Sequence, residues 1–428
     1  MSWGARVTGA ALAAVVGAGA CSSGRTREPV DDHGVGRIVA AAASDLAVFW
    51  AAELPRVGRG ELGDAPPKPL LLRAGSSVRC DAASLTWADL RGNARYCPQR
   101  DQIVVDAQDL GPDLVRRFGP LALAAIVAHE YGHAVQRRLG TISLAPVVRE
   151  LQADCLAGTW LGHVKAYPTP VFSATDDDLA LPLVGVMSLR DSLGRDPSAP
   201  DAHGAGFDRL TAMLEGIDHG AGPCLDYGRG GPVLTGQAFL SDTDRANAGN
   251  QPLLRMLVSS AADLNDHYGQ LARAAGGEWT DIALVPQATG GCGGDGQPTE
   301  EAPIVACDGG VVVAALDRLG PLASFGDMAV GAEVGRAWGA AALRLSLPAL
   351  RLTPSSTAVE CLTGYWIGTL HPSATNRAAT RTLRLSPGDL DEVAAAILQG
   401  PRRPRPLDRL RALQNGFHAG LAGCRAAS

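Results

Sequence analysis

The sequence predicts a mainly α-helical fold of the α+β class, made of two tandem copies of one disulfide-bonded domain. Apolar residues recur at helical spacing along most of the chain, and segments with strand character are few and short. The string F-D-R-L at 207–210 is followed by L-D-R-L at 407–410, an offset of 200 residues. Because similarity at a fixed offset is diagnostic of repeated structural units, we expect a duplicated domain.

The elements of the first half follow from the spacing of apolar residues. A strand is expected at 102–105, and the stretch 114–139 is expected to form one long or broken helix. The remaining helices are expected at 40–54, 150–164, 178–193 and 207–216.

The duplication divides the chain into two domains of about 200 residues, each large enough for its own core. Further matches join 155–162 to 361–368 and 44–46 to 262–264, in the same order. The Gly/Pro stretch at 228–232 is typical of a linker. The expected layout is a signal peptide at 1–20, a lipoprotein tether at 21–34, a first domain at 35–227, a linker at 228–240 and a second domain at 241–428.

The first 24 residues have the order of a secretory signal. Arg6 precedes an apolar run from Val7 to Ala20, and Cys21 begins a stretch of small residues. This arrangement resembles a bacterial lipoprotein signal, in which the cysteine is lipidated, although Ala18 departs from the usual larger aliphatic residue. The alternatives are a transmembrane anchor, for which the run is short, and secretion without a lipid. We expect an exported protein anchored through Cys21 to the membrane, at the bacterial cell surface or on the periplasmic side.

The other eight cysteines divide evenly between the halves, as expected of a disulfide framework in an oxidising compartment. Four cysteines allow three pairings in each half. We favour a short loop closed by the first pair and a second pair that ties the domain end to its middle helix. The expected pairs are Cys80–Cys97, Cys155–Cys224, Cys292–Cys307 and Cys361–Cys424.

The string His129-Glu130-Tyr131-Gly132-His133 reads H-E-x-x-H and follows the apolar run 121–128. On a helix, positions i and i+4 share a face, so both imidazoles can reach one metal ion. The glutamate then lies beside that metal, where it can take a proton from a bound water.

A catalytic zinc site normally needs a third protein ligand. Glu150 is the candidate, because it lies 17 residues after His133, with room for a turn and a returning helix. Asp154 shares its helix face and can accept a hydrogen bond from a ligand histidine, which would fix the tautomer. The alternative is that Glu150 is a solvated helix carboxylate.

Several motifs occur in a characteristic order: Y-C-P at 96–98, I-V-V-D at 103–106, A-H-E-Y-G-H-A-V-Q at 128–136, E-L-Q-A-D-C at 150–155 and A-H-G at 202–204 before D-R at 208–209. In these motifs, over most of 35–225, the chain resembles a bacterial family of neutral zinc metallopeptidases. The E-x-x-x-D that follows H-E-x-x-H is also similar to that of other gluzincins. The resemblance implies a zincin-like fold, one zinc ion in the first domain, and a peptide or protein substrate. It implies no particular substrate.

The implied reaction is metal-assisted hydrolysis with Glu130 as general base. An oxyanion stabiliser is also needed; His203 is the first candidate and Tyr131 a weaker one. His203 is equally compatible with capping a helix or binding a backbone carbonyl. Tyr131 aligns with Trp338 of the second half, which favours a role in core packing.

The second half lacks the metal ligands. Alignment through F-G at 118–119 and 325–326, and through Cys155 and Cys361, replaces each of them. The counterparts of His129, Glu130, His133, Glu150 and Asp154 are Arg336, Ala337, Ala340, Ser356 and Glu360. Since arginine stays cationic and cannot ligate zinc, we expect no catalytic zinc there. The second domain could pack against the first, shape the cleft or hold a protein partner.

Composition limits the function classes. With 46% hydrophobic and 19% charged residues and a net charge of −6, the chain is typical of a globular protein without a basic surface for nucleic acid. Two functions are considered: an exported zinc metallopeptidase, and a cell-surface binding or scaffold protein whose zinc site is structural or vestigial. The intact Glu130 favours the enzyme, because a structural site needs no general base.

Overall fold

The computed structural model describes residues 31–61, 63, 65–141, 144–287, 292, 298–299, 302–307, 311–345, 350–372, 383–400 and 404–426. Within these ranges the chain is mainly helical with some sheet. It divides into two compact units, residues 1–236 and 237–428, and this division lies inside the predicted linker 228–240. The predicted signal peptide 1–20 and Cys21 lie outside the described residues.

The first unit combines helices with a small sheet. Its helices are α1 (Asp32–Arg56), α2 (Trp87–Leu90), α3 (Leu110–Phe118), α4 (Pro120–Leu139), α5 (Pro146–Ala166), α6 (Asp176–Met187), α7 (Gly206–His219) and α8 (Ala221–Leu225). Its strands are β1 (Lys68–Leu72), β2 (Ser77–Cys80), β3 (Ala83–Thr86), β4 (Ala94–Cys97) and β5 (Gln102–Asp106). The central strand β5 pairs in parallel with β1 and antiparallel with β4, and β2 and β3 form a hairpin.

The predicted long or broken helix over 114–139 is broken at Gly119, which has a φ of 91° and separates α3 from α4. Pro120 begins α4, where its fixed φ and missing N–H cost nothing. Gly140, in the left-handed conformation, ends the helix. The H-E-x-x-H motif therefore lies in the second half of one regular, largely buried helix.

Helix α1 is the described segment that is long and apolar enough, over His33–Arg56, to cross a membrane by length and composition. In the structure its apolar side chains Val35, Val39 and Leu46 are buried in the first unit. Its Asp45 accepts a hydrogen bond of 2.7 Å from the indole of Trp160 in α5. Core packing therefore accounts for the apolar composition of α1.

Helices α5 and α7 approach each other through glycines. A Cβ at Gly158 would lie 2.1 Å from the carbonyl oxygen of Met213, and one at Gly216 would lie 1.9 Å from that of Cys155. These positions tolerate no side chain unless the two backbones separate.

Replacing Gly158 with Ala is expected to destabilise the protein by about 1–3 kcal/mol or more, because the added methyl group collides with backbone that cannot rotate away. Urea unfolding of the full chain measures this change. Gly222→Ala is the matched control, since a Cβ at Gly222 in α8 meets nothing within 4 Å. Equal stability of the two variants would contradict the close helix contact.

The second unit has the same sheet order as the first. Its helices are α9 (Asp242–Ala246), α10 (Leu253–Ala274), α11 (Gly320–Ala323), α12 (Asp327–Arg344), α13 (Ser356–Leu370), α14 (Asp389–Gln399) and α15 (Pro406–Ala426). Its strands are β6 (Ala283–Gln287), β7 (Ile304–Cys307) and β8 (Val311–Ala315), with β8 in the centre, parallel to β6 and antiparallel to β7. Gly364 and Gly416 allow α13 and α15 to pack closely, as Gly158 and Gly216 allow α5 and α7 to do.

The four predicted disulfide pairings are confirmed. They are Cys80–Cys97, Cys155–Cys224, Cys292–Cys307 and Cys361–Cys424. The two long-range bonds tie the end of each unit to its middle helix, α5 or α13. Since stable disulfides form in oxidising compartments, four of them indicate an exported protein.

Candidate metal centre

Two neighbouring helices bring the three predicted ligands together. His129 and His133 lie one turn apart on α4, and Glu150 lies in the first turns of α5. Their donor atoms lie within 4.8 Å of one another. The Nε2 atoms of His129 and His133 lie 3.3 and 3.4 Å from the same oxygen, Oε2 of Glu150.

These distances fit a tetrahedral metal. Nitrogen and oxygen ligands that bind zinc at about 2.0–2.1 Å with tetrahedral angles lie roughly 3.3 Å apart. Two imidazoles and one carboxylate also form a ligand set found in catalytic zinc sites. The residues present therefore fit a zinc ion with a further position for water.

Gly132 explains how α5 comes so close to the motif. A Cβ at this position would lie 3.0 Å from the carbonyl oxygen of Ala153 in α5, closer than an ordinary contact. The glycine of H-E-x-x-H thus allows the two ligand-bearing helices to approach each other.

Hydrogen bonds set the tautomer of His133. Its Nδ1 lies 2.8 Å from Oε1 of Gln136, whose Nε2 donates to the oxygens of Arg149 and Gln152. The side chain of Gln152 in turn donates to the carbonyl of Cys224 at 2.9 Å. Because Gln136 uses its Nε2 as the donor, its Oε1 must accept from Nδ1–H of the imidazole. Nε2 of His133 therefore faces Glu150, and it is the nitrogen that would bind a metal after losing its proton.

His129 is oriented by a buried ion pair. Its Nδ1 lies 2.7 Å from Oδ1 of Asp154, and Arg209 of α7 holds the same carboxylate through Nε and Nη2 at 2.8 and 2.9 Å. Burial lowers the pKa of His129, but the Asp154 carboxylate outweighs burial and raises this pKa to about 10. Burial raises the pKa of Glu150, but the two imidazoles hold it well below its usual range. The three ligands thus form a charged cluster in which a metal would replace the Nε2 protons.

Glu130 is positioned by the sheet. Its Oε2 accepts a hydrogen bond of 2.5 Å from the backbone N–H of Tyr96 in β4, and the residue is only 7% exposed. The next residue, Cys97, is joined to Cys80, so a disulfide supports this part of β4. The bond leaves Oε1 of Glu130 outside this contact. Burial lowers the pKa of His133, but the charge of the Glu130 carboxylate is near enough to help raise it.

His203 is partly exposed in the loop before α7. Its Nδ1 lies 3.6 Å from Asp191, which also accepts hydrogen bonds from the backbone N–H groups of His203 and Gly204. Burial raises the pKa of Asp191, but its hydrogen bonds with His203 and Gly204 outweigh burial and lower it. A Cβ at Gly204 would lie 3.4 Å from the side chain of Leu151, the residue after Glu150, so the loop borders the ligand helix. Asp191 therefore orients His203 in a loop that lies beside α5.

The structure places Tyr131 in the core. Its side chain is fully buried, and its hydroxyl has no hydrogen-bond partner among the described residues. Residues two positions apart on a helix face different sides, so Tyr131 points away from the face of His129 and His133. Burial raises its pKa to about 12. The expected catalytic role for Tyr131 is not supported by this placement, whereas the packing role is.

Sequence reasoning assigned no role to Gln136, Arg209 or the amide of Tyr96. Gln136 lies three residues after His133, at helical contact distance, and this spacing was the available signal. Arg209 and Tyr96 lie 55 and 34 residues from their partners Asp154 and Glu130, so no local spacing indicates those contacts.

In the second unit, an ion-pair network occupies the corresponding positions. The Nε atoms of Arg336 and Arg409 donate to Oε1 of Glu360 at 2.8 and 2.6 Å, and Arg336 also bonds Glu333 at 2.5 Å. Glu360 thus accepts from two arginines, as Asp154 accepts from His129 and Arg209. The guanidinium of Arg336 supplies a permanent cation and no electron pair for a metal.

Replacing Gln136 with Met is expected to weaken zinc binding about 10–100-fold, because Nδ1 of His133 loses its acceptor. Competition titration with a chromophoric chelator measures the affinity. The exposed Gln270→Met in α10 is the control and should bind zinc as tightly as the wild type. Unchanged affinity of the Gln136 variant would show that the amide does not set the tautomer.

Comparison with known proteins finds relatives without a stated activity. No family model and no solved structure matches the chain. It is similar to the uncharacterized protein YpfJ of Escherichia coli (strain K12), with 25% identity over 202 residues, 42% of this chain and 67% of the relative. It is also similar to the uncharacterized proteins Mb2605 of Mycobacterium bovis and Rv2575 of Mycobacterium tuberculosis, with 42% identity over 79 residues, 15% of this chain and 27% of each relative.

Proposed function

We propose that the chain is an exported zinc-dependent metallopeptidase whose first unit is a zincin-like catalytic domain. The observation that carries this proposal is the convergence of both Nε2 atoms on Glu150, with Glu130 adjacent. The side chains of His133 and Glu150 keep 17% and 13% of their surface exposed, so water can reach the ligands. A closed structural site would need no such access and no general base.

A bound zinc ion supplies a Lewis acid and lowers the pKa of its water to about 7. Glu130 accepts the proton of the attacking water on Oε1, while the Tyr96 amide fixes the other oxygen. The same carboxyl group then passes the proton to the leaving amine. Asp154 and Gln136 keep the two imidazoles in their metal-binding tautomers throughout. His203, oriented by Asp191, is the candidate donor to the developing oxyanion.

We infer that the second unit is a degenerate duplicate of the first. The shared sheet order, the paired glycine contacts and the corresponding disulfides support a common origin. Arg336 in place of His129 makes the unit independent of zinc, which leaves it available to bind a protein partner.

The location follows from the sequence around Cys21. Export agrees with the four disulfides, and lipidation of Cys21 would hold the enzyme at the membrane. Mass spectrometry of the mature N-terminus should find a diacylglyceryl group on Cys21. A free N-terminus beyond Cys21 would instead indicate a secreted protein.

Metal analysis and a peptide-library digest test the enzymatic proposal. Purified protein should contain one zinc ion per chain, and His133→Ala should contain none, because one of three ligands is lost. The wild type should cleave a subset of the library, and the chelated protein should cleave no member of it. Zinc bound without cleavage of any peptide, protein or cell-wall substrate would favour the scaffold function. Two tightly bound zinc ions per chain would contradict the degenerate second unit.

A further inference from the structure

Three carboxylates meet inside the second unit, away from the positions that correspond to the zinc site. Asp327 is the first residue of α12, Asp389 is the first residue of α14, and Glu392 follows one turn later. Their oxygens lie within 4.8 Å of one another. Asp327 and Asp389 are only 6% and 3% exposed. Carboxylates are almost never buried at such proximity without a compensating interaction.

The backbone orients all three groups. Each carboxylate accepts a hydrogen bond from a main-chain N–H: Asp327 from Gln251 at 2.7 Å, Asp389 from Ser386 at 2.7 Å, and Glu392 from Met328 at 3.0 Å. The other oxygen of each aspartate, Oδ1, is buried and has no hydrogen-bond partner among the described residues. Both aspartates of the cluster thus keep a buried oxygen without a hydrogen-bond donor among the described residues.

Gly326 makes room for the third carboxylate. Its φ is 138°, and a Cβ there would lie 1.9 Å from the Cδ atom of Glu392. Any other residue at 326 would displace the carboxylate from the cluster. The glycine therefore allows the carboxylate of Glu392 to lie close to the start of α12.

The surroundings of the cluster add further negative charge. Burial, followed by the charges of Glu392 and Asp327, raises the pKa of Asp389 well above its usual range. Burial is also the largest influence that raises the pKa of Asp327, to about 6, and the charge of Asp244 adds to it. A cation at the cluster would offset the free-energy cost of burying these negative charges together.

Helix capping alone does not require this burial. In the first unit, Asp178 of α6 makes the same backbone contact, accepting from the N–H of Thr175 at 2.9 Å, but it remains exposed. The position of Asp327 corresponds to Pro120 in the alignment through the F-G pairs at 118–119 and 325–326. The Asp327 carboxylate of the cluster therefore has no counterpart in the first unit.

We propose that Asp327, Asp389 and Glu392 bind a hard divalent cation, with Ca²⁺ as the favoured ion. Calcium takes oxygen ligands at about 2.3–2.6 Å, so the ligands of one ion lie roughly 3–5 Å apart, as these oxygens do. Calcium also tolerates irregular geometry, whereas Mg²⁺ demands a near-ideal octahedron and retains its waters. An all-oxygen set of carboxylates does not favour soft metals.

Calorimetric titration of the zinc-loaded full chain with CaCl2 tests the site. One calcium ion should bind per chain and raise the melting temperature, with weaker binding of Mg²⁺. Asp389→Asn and Asp327→Asn should each weaken calcium binding at least about tenfold, because a ligand charge is lost from the site. Asp178→Asn, the exposed counterpart, should bind calcium like the wild type.

Hydrogen exchange shows where the ion acts. Calcium should slow exchange at the starts of α12 and α14, and this readout needs no variant. A wild type that neither binds Ca²⁺ or Mg²⁺ nor is stabilised by them would overturn the proposal. Asn variants that then melt at a higher temperature than the wild type would indicate that the acids are protonated and share hydrogen bonds. Calcium binding that protects other segments, or that persists unchanged in both Asn variants, would overturn it as well.

Discussion

Replacement of Glu130 by Gln is expected to abolish hydrolysis while zinc remains bound. The amide keeps the size of the carboxylate and can still accept the hydrogen bond from the Tyr96 N–H through its oxygen. It cannot accept a proton from water, so general-base catalysis is lost. Since such catalysis contributes about 10²–10⁴ in rate, kcat should fall by that factor.

The measurement is the cleavage rate of a library peptide that the wild type cuts, together with the zinc content of both proteins. Zinc should stay at one ion per chain, because Glu130 is not among the three ligand residues. Glu61→Gln, an exposed substitution in the same unit, is the control and should retain the wild-type rate. A variant at Glu130 that keeps its rate within about tenfold would exclude this residue as the base.

Replacement of Glu360 by Gln is expected to destabilise the second unit by about 3–5 kcal/mol, the cost of breaking a buried ion pair. Glu360 accepts from both Arg336 and Arg409 and is 3% exposed. Removing its charge leaves Arg409 without this acceptor, and leaves Arg336 with Glu333 as its remaining carboxylate partner among the described residues. The neutral amide cannot compensate for the desolvation of those cations.

Chemical denaturation measures the lost free energy of unfolding, and hydrogen exchange reports the stability of each unit individually. Zinc content should be unchanged, since the first unit is not altered. Asp408→Asn is the matched control: its ion pairs with Arg405 and Arg411 are partly exposed, so the change should cost at most about 1 kcal/mol. If Glu360→Gln were as stable as this control, the network would not hold the unit together.

The same network predicts a pH dependence. Burial raises the pKa of Glu360, but Arg336 and Arg409 outweigh burial and hold it below its usual value of 4.5. A depressed folded-state pKa adds stability above the unfolded-state value, and this stability is lost as the pH falls through the folded-state pKa. The second unit should therefore lose stability below about pH 4.5, and Glu360→Gln should lose less over that range.

Features that depend on local spacing were accessible from sequence. The helix that carries H-E-x-x-H and the strand after residue 101 follow from apolar periodicity. The sequence left open whether the helix over 114–139 is broken, and the structure places the break at Gly119. The four disulfide pairings are also confirmed. Their prediction used the sequence similarity of the two halves, which divides eight cysteines into two sets of four. The strands β1–β4 and the hairpin they include were missed, since none of them contains a run of β-branched residues like the Ile-Val-Val of β5.

The long-range hydrogen bonds that orient the residues of the candidate sites could not be predicted from local spacing in the sequence. The amide of Tyr96 reaches Glu130 because β4 packs beside α4, and Arg209 reaches Asp154 because α7 packs on α5. Glu392 meets Asp327 only through the space left at Gly326. Each contact joins residues that are at least 34 positions apart, so chain spacing carries no information about it.

The sequence by itself determined which residues of the first unit can donate electron pairs to a metal, and that Arg336 and Ala340, which align with the two histidines, have none to donate. This is a property of side-chain chemistry and of the i, i+4 helical repeat. Only the tertiary structure decided which imidazole nitrogens face the ligand position. That choice depends on hydrogen bonds to Asp154 and to Gln136, and Gln136 is itself fixed through Gln152 by a carbonyl 72 residues further along the chain. Folding brings these partners together, and the direction of each donor then sets the tautomer.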